Sequence, residues 1–262
     1  MNKKFLELAK KSKVIVIKVG SNILVNEKHV LRKKWLNSLI EDVKELQKRG
    51  SKIIIVSSGA IALGRNILSK KKLTNLHEKQ AAASIGQIQL LQQWQKAFAK
   101  LNIQSSQILI TAEDLNERRK YLNIRNTIYS LMDLNVVPII NENDTTSTEE
   151  IRFGDNDKLS AMIANALSAE LLILLSDVNG LYTANPKKSL QAKLITSVEE
   201  VDQQIEKYID KDLSEFGSGG MLAKINAAKL CIQSGSTMII SNGLVNNPLN
   251  KIDPQSSTWF HP

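Results

Sequence analysis

Six short apolar runs alternate with helix-patterned stretches, and this alternation constrains the fold more than any other feature of the chain. The runs are Val14-Ile15-Val16-Ile17-Lys18-Val19, Ile53–Val56, Ile108–Ile110, Val136–Ile140, Leu171–Leu175 and Met238–Ile240. Each is short enough for a strand, and nearly every position is apolar, as in strands buried on both faces. Between the first two, Trp35, Leu36, Leu39, Ile40, Val43 and Leu46 recur at helical spacing, and Gly50 follows as a stop. Further helices are expected over Gln80–Lys100, Tyr121–Leu134, Lys158–Ala169 and Met221–Ser234, the second of these with Leu122, Ile128, Leu131 and Leu134 on one side. Strand and helix in turn imply an α/β protein: a three-layer α-β-α sandwich around a central, mainly parallel sheet with right-handed crossovers. No repeat and no Pro/Gly/Ser-rich linker divides the sequence, so residues 1–262 read as one domain. Two irregular stretches, 141–156 and 179–220, exceed ordinary connections and read as lids or binding loops.

Composition removes several classes. Hydrophobic residues make up 42% of the 262 positions, enough for a full core, which argues against wholesale disorder. No run approaches eighteen apolar residues, so no membrane span is expected. Met1–Lys13 lacks the apolar core and cleavage site of a signal peptide, which points to a cytoplasmic protein. The lone cysteine, Cys231, excludes an internal disulfide and reads as a buried thiol. His29, His77 and His261 are scattered without metal-ligand spacing and read as surface residues. The net charge is +9, but its lysines fall in short polar clusters that no aromatic residues interleave. That is a solvated surface rather than a nucleic-acid platform, and it supports an anionic substrate only weakly.

The chemistry concentrates in polar clusters next to the apolar runs. Asn141-Glu142-Asn143-Asp144 directly follows the fourth run, and Gly154-Asp155-Asn156-Asp157 opens the helix that leads to the fifth. Ligands of open α/β sheets bind beyond the carboxyl ends of the strands. One such cluster is an ordinary turn; two flanking a single loop indicate a site. Three glycine-containing junctions offer backbone N–H groups to an anion: Lys18-Val19-Gly20-Ser21, Ser57-Ser58-Gly59-Ala60, and Gly217-Ser218-Gly219-Gly220 leading to Lys224. The third is the most specific, since Lys224 lies one turn inside the helix, yet it matches neither a P-loop nor a dinucleotide fingerprint. Lys18, in an otherwise apolar strand, either reaches solvent at the strand end or pairs with an anion. Two lysines, several N–H nests, an acidic loop and no evident acid/base histidine suit phosphoryl transfer, which depends on charge neutralisation and alignment.

On these residues the sequence resembles the amino-acid kinase family, and within it the branch acting on glutamate. The likeness is carried by Ile17–Ser21, Val56–Ala62, Gln87, Ile139–Asp144, Gly154–Asp157, Ser176–Ala184, and Gly219-Gly220-Met221 through Lys224, nearly the whole chain. The resemblance implies the amino-acid kinase fold and phosphorylation of the γ-carboxylate of L-glutamate by ATP with Mg²⁺, the first step of proline biosynthesis. Proline is the implied inhibitor, and a homo-oligomer, dimeric or tetrameric, the implied assembly. By position, Lys18 and Lys224 look like the phosphate-stabilising lysines and Asp157 like the acid that orients them. Ser58, Asp144 and Asn156 look like the glutamate-binding residues. Lys18, Ser176, Asp177 and Ser218-Gly219-Gly220-Met221-Leu222-Ala223-Lys224 look like the nucleotide site. No protein side chain is implied as a metal ligand; Mg²⁺ is expected on the ATP phosphates. The chemistry agrees, since a carboxylate acceptor titrates near ~4.3 and needs no general base at neutral pH. Ser176 stands where Thr is common in the family, and Leu222-Ala223 where polar residues are common; neither change removes a charge. Longer members carry a C-terminal PUA domain; this sequence reaches Pro262 without one, so no nucleic-acid partner is expected. Two rival readings are a kinase of the same fold with another acceptor and a basic, non-catalytic nucleic-acid binder. The acceptor loops weigh against the first and the scattered lysines against the second.

Overall fold

A computed structural model describes residues 1–70, 72–147, 155–186, 188–213 and 219–262. The first half contains helix α1 (Lys3–Lys11), strand β1 (Val14–Val19), α2 (Ser21–Leu24), α3 (Lys33–Lys48), β2 (Lys52–Ser57), α4 (Ala60–Ile67), α5 (Leu76–Ala99), β3 (Ser105–Ile110), α6 (Ala112–Asn116), α7 (Arg118–Asp133) and β4 (Val137–Glu142). The second contains α8 (Asp155–Ala166), β5 (Leu171–Ser176), β6 (Leu181–Tyr182), β7 (Leu194–Ile195), β8 (Ser197–Val198), α9 (Gln203–Leu213), α10 (Gly219–Gln233), β9 (Thr237–Asn242) and β10 (Thr258–Phe260).

Eight strands form the main sheet in the order β3-β4-β2-β1-β5-β9-β10-β8. The six expected runs are all parallel; β10 runs antiparallel to β9, while β8 is parallel to β10. Strand β1 is the switch point, with β2 on one side and the much later β5 on the other. The carboxyl ends of β1, β2, β4, β5 and β9 therefore share one edge of the sheet, where a switch-point ligand binds.

Side chains of a strand alternate between faces, and here both faces are covered. Ile15, Ile17 and Val19 join Ile53, Ile55, Ile139, Ile173 and Ile239 in the cluster that also takes in Phe5, Trp35, Leu39, Leu90 and Trp94. Val16 joins Ile54, Val56, Ile140, Leu172, Leu174 and Ile240 on the opposite face, with Leu159 and Ile163 of α8 and Ile225 and Ala228 of α10. Each fully buried Leu or Ile contributes about 1.5–3 kcal/mol. Lys18 follows Val16 by two residues, so the pleat points it to the α8/α10 side.

Helices α4 and α5 cross without room for a side chain. A Cβ on Gly64 would lie 1.7 Å from the Ala82 carbonyl oxygen, and one on Gly86 would lie 1.8 Å from that of Ala60. This contact fixes the start of α4 and hence the Ser57-Ser58-Gly59 turn before it. Gly59 itself has φ +113°, a conformation that L side chains rarely adopt. On the other flank, the indole N–H of Trp35 donates to the Gly243 carbonyl at 2.6 Å. The fully buried carboxylate of Asp42 accepts from the backbone N–H of Leu249 and Asn250 and from the Asn247 side chain. These contacts pin the segment after β9.

The sequence expectation holds for the layers and differs at the ends. Helices α5, α7 and α8 each begin three or four residues earlier than periodicity suggests, because their first turns are polar apart from Leu76. Leu134, expected on the packed side of α7, is 72% exposed, since the helix ends one residue before it. The stretch 179–220 is not one irregular loop: β6 and β7 form a hairpin there, and β8 and α9 follow. β8 and β10 are too short to register as apolar runs.

Candidate active site

The pleat delivers Lys18 into a buried charge cluster. Its ammonium lies 2.5 Å from Oδ1 of Asp157, and Lys224 Nζ donates to Oδ2 of the same carboxylate at 2.9 Å. The first contact is a close charge pair rather than a well-angled hydrogen bond, whereas the second is directed. Asp157 is fully buried, Lys18 is 7% exposed, and the Lys224 side chain is 11% exposed. Three elements meet here: β1 supplies Lys18, the first turn of α8 supplies Asp157, and the second turn of α10 supplies Lys224. Lys224 Nζ also donates to the Gly220 carbonyl at 3.2 Å, which folds its side chain back along α10.

Burial pushes the Lys18 ammonium below the usual lysine range; Asp157 pulls it back up, and Lys224 pushes it further down. Burial also raises the Asp157 carboxyl, but the two lysines outweigh burial and hold it below the ordinary aspartate value. The cluster thus sets two lysine side chains against a single carboxylate at the strand ends. A Cβ added at Gly20 would sit 3.7 Å from Lys18 Nζ, so glycine leaves that approach open.

One residue before Asp157 a polar network begins. Asn156 Nδ2 donates to Ser58 Oγ at 2.9 Å, to the Ser57 carbonyl at 3.2 Å and to Asn141 Oδ1 at 3.0 Å. Asn141 Nδ2 donates to Gln87 Oε1 at 2.7 Å, while its Oδ1 accepts from the Glu142 N–H. The Trp94 indole N–H donates to Ser57 Oγ at 2.9 Å. On the β5 side, Ser176 Oγ lies 3.3 Å from Asp177 Oδ1, and Asn22 Nδ2 donates to Asp177 Oδ2 at 3.3 Å. Asp177 is exposed and close enough to raise the Lys18 ammonium electrostatically.

Of the residues singled out from sequence, Lys18, Asp157 and Lys224 form one cluster, and Ser58 and Asn156 form a second beside it. Ser176 and Asp177 flank the first cluster at the end of β5. Gly219 to Ala223 make up the opening turns of α10. Asp144 lies in the turn after β4. Gly154 and Ser218 lie outside the described residues. Sequence reasoning assigned no role to Asn141, Gln87, Trp94 or Asn22. Asn141 carried a signal, since it is a polar residue extending an apolar strand; Gln87 carried one through the resemblance alone, and Trp94, on the same long helix, carried little.

Among the described residues, no group of three or more His, Cys, Asp or Glu is arranged to hold a metal ion. No helix among them is long and apolar enough to cross a membrane.

A mainly parallel sheet with a Lys–Asp–Lys cluster at its switch point is the framework of a phosphotransferase, and the amino acid kinase family model matches residues 13–242: the chain belongs to that family. It is 51% identical over 255 residues to glutamate 5-kinase of Pelagibacter ubique, covering 97% of this chain and 69% of that protein. It is 46% identical to glutamate 5-kinase of Agrobacterium fabrum, covering 95% of this chain and 64% of that protein. The chain thus spans about two thirds of the length of these relatives. Among solved structures, carbamate kinase from Giardia lamblia bound to AMP-PNP superposes with TM-score 0.67 at 15% identity, over 96% of this chain and 99% of that one. UMP kinase from Ureaplasma parvum does so with TM-score 0.65 at 17% identity, over 95% and 99%. These two likenesses establish the shared fold.

Proposed function

We propose that the chain transfers the γ-phosphoryl group of ATP to the γ-carboxylate of L-glutamate, giving L-glutamyl 5-phosphate, the first step of proline biosynthesis. The observation that carries this reading is the first turn of α8. Asp157 there holds Lys18 and Lys224, while the adjacent Asn156 holds Ser58, so a phosphate-binding cluster and a polar acceptor pocket share one backbone turn. Relatives about half identical over nearly all of this chain are glutamate 5-kinases, which supports glutamate as the acceptor over the alternatives open to the fold.

In this reading Lys18 and Lys224 neutralise the charge that redistributes as the phosphoryl group moves, and Asp157 keeps both ammonium groups aimed. Ser58, Asp144 and Asn156 bind the glutamate. Ser176, Asp177 and Ser218 to Lys224 bind the nucleotide, Lys224 acting on its phosphates. Mg²⁺ prefers phosphate oxygens, water and one or two carboxylates over an all-protein cage. In this reading it would travel on ATP, and Asp177 is an exposed carboxylate at the strand end. Its chemistry there is charge neutralisation of the phosphates. Residues 1–262 act as one kinase domain in the cytoplasm, in a homo-oligomer of two or four copies, without nucleic-acid or membrane partners. Proline inhibits by competing for the Ser58, Asp144 and Asn156 pocket.

The test is a hydroxylamine trap with ATP and L-glutamate. Formation of γ-glutamyl hydroxamate is expected, with N-acetylglutamate a poor substrate because its neutral amide would face the carboxylate of Asp144. Equal rates on the two acceptors would refute the specificity.

A further inference from the structure

We infer that Gln87 is a positioning residue for the acceptor pocket: its side-chain carbonyl helps set the direction of the Asn141 and Asn156 amides, so that Asn156 offers the substrate an oxygen rather than an NH₂ group. The inference rests on the reading of Asn156 as an acceptor-pocket residue.

An amide side chain has one donor end and one acceptor end, and either can face a given neighbour. In this network the backbone removes part of the choice. The Glu142 N–H only donates, so Asn141 turns its Oδ1 toward it, and the same oxygen accepts from Asn156 Nδ2. The Ser57 carbonyl only accepts, so Asn156 turns its Nδ2 that way. Asn141 Nδ2 is then left facing α5, where the only partner that satisfies it is an acceptor. Gln87 Oε1 supplies that acceptor at 2.7 Å, a short contact for a neutral pair. The outcome appears at the far end of the relay. Among the described residues, the buried Asn156 Oδ1 has no hydrogen-bond partner. A buried acceptor without a donor is costly unless a ligand completes it. The group that would complete it is a donor, such as the α-ammonium of an amino-acid substrate.

Gln87 is itself held from two sides. Gly86 before it presses on the Ala60 carbonyl so closely that α5 cannot slide toward α4. Two turns further, Trp94 donates to Ser57 Oγ. The helix therefore touches the end of β2 and, through Gln87, the end of β4.

The experiment compares Gln87→Leu, Gln87→Glu and Gln87→Lys with the wild-type full chain. It reads KM for glutamate, KM for ATP, kcat and Tm, and glutamate affinity by calorimetry. Leucine leaves the buried Asn141 NH₂ unpaired, and KM for glutamate should rise about tenfold, the scale of one lost hydrogen bond in a buried network. KM for ATP should stay within about twofold, because the nucleotide residues lie outside the relay. Glutamate at 87 keeps an acceptor and should restore most of the affinity. Lysine offers only donors and should be at least as impaired as leucine. An unchanged KM for glutamate in Gln87→Leu would overturn the inference. So would a Gln87→Glu variant no better than Gln87→Leu, or a loss in which KM for ATP moves in step. Wild-type turnover of glutamate is measured alongside; its absence would count against the proposed reaction, whereas normal wild-type turnover with indifferent variants would count against Gln87 alone.

Discussion

Replacing Asp157 by Asn tests the charge cluster directly. The substitution is nearly isosteric but removes the one negative charge between two ammonium groups, each about nine-tenths buried. Breaking a buried ion pair by neutralising one partner costs about 3–5 kcal/mol, chiefly because the remaining charge is left uncompensated. For a chain of this size that corresponds to a fall in Tm of roughly 6–20 °C at 2–4 °C per kcal/mol. The rate should fall as well. Loss of one preorganised stabilising group typically lowers kcat by about 10²–10³, and KM for glutamate should move much less. The pH dependence separates this account from simple destabilisation. Burial already holds Lys18 below the usual lysine range and Asp157 is what draws it back up, so without the carboxylate Lys18 should lose its proton at a lower pH. The alkaline limb of kcat should therefore shift to lower pH in the variant. For folding, the depressed Asp157 carboxyl contributes stability above its unfolded pKa, lost as pH falls through its folded value. The stability gap between wild type and variant should accordingly narrow in acid. The assays are hydroxamate-coupled kinetics across pH 6–10 and differential scanning fluorimetry across pH 3–8, chosen to bracket the reference side-chain values. A folded variant with near-normal kcat, an unmoved alkaline limb and a Tm within about 2 °C of wild type, less than 1 kcal/mol at this chain length, would reduce Asp157 to a helix cap.

Further outcomes follow from other sites. Gly86→Ala would drive a Cβ to 1.8 Å from a backbone oxygen, so α5 must move from α4. Chemical denaturation should show a loss of about 1–3 kcal/mol, and KM for glutamate should rise with it, because Ser58 precedes α4; an unchanged stability would refute the contact. Burial raises the Asp42 carboxyl above its ordinary value, with hydrogen bonds from the 247–250 segment only partly opposing it. A raised folded pKa means the contribution is present below the unfolded pKa and is lost as pH rises through the folded one. The Tm of Asp42→Asn relative to wild type should therefore rise between about pH 4 and pH 7, the span above the ordinary aspartate value; a slope of the opposite sign would contradict the assignment. Burial pushes the Cys231 thiol up to about 12, so the native protein should react with iodoacetamide at pH 8 far more slowly than the urea-unfolded chain. Equal labelling rates would refute that burial.

The core of the fold was legible because fully buried parallel strands leave continuous apolar runs. Leu171–Leu175 could hardly be anything but interior, and its neighbours β1 and β9 read the same way. What failed to register was structure without such a run. β10 has three residues and takes its place through Thr258, whose hydroxyl bridges the Leu181 N–H and the Ile195 carbonyl. Periodicity marks neither residue. In the site, Lys18 was conspicuous as a charge in an apolar strand, and Asp157 and Lys224 stood in unusual local sequence. Their meeting depends on the α8–α10 packing and is not a property of any one segment. The amide relay was hidden for the opposite reason. Gln87 is one of several glutamines on α5; the resemblance marked it without a role, and only the folded contact with Asn141 gives it one to play.

The position of β1 has a kinetic consequence for a chain made from its N-terminus. One edge of β1 is closed by β2 soon after both emerge, with Val14 opposite Lys52. The other edge waits for β5, where Ile15 faces Leu171. At 5–20 residues per second that interval is roughly eight to thirty seconds. Throughout it an apolar strand destined for the middle of the sheet is an open edge, and open edges recruit other chains. Nascent chains halted between β4 and β5 should therefore be the most aggregation-prone, and the most dependent on chaperones, of any truncation series.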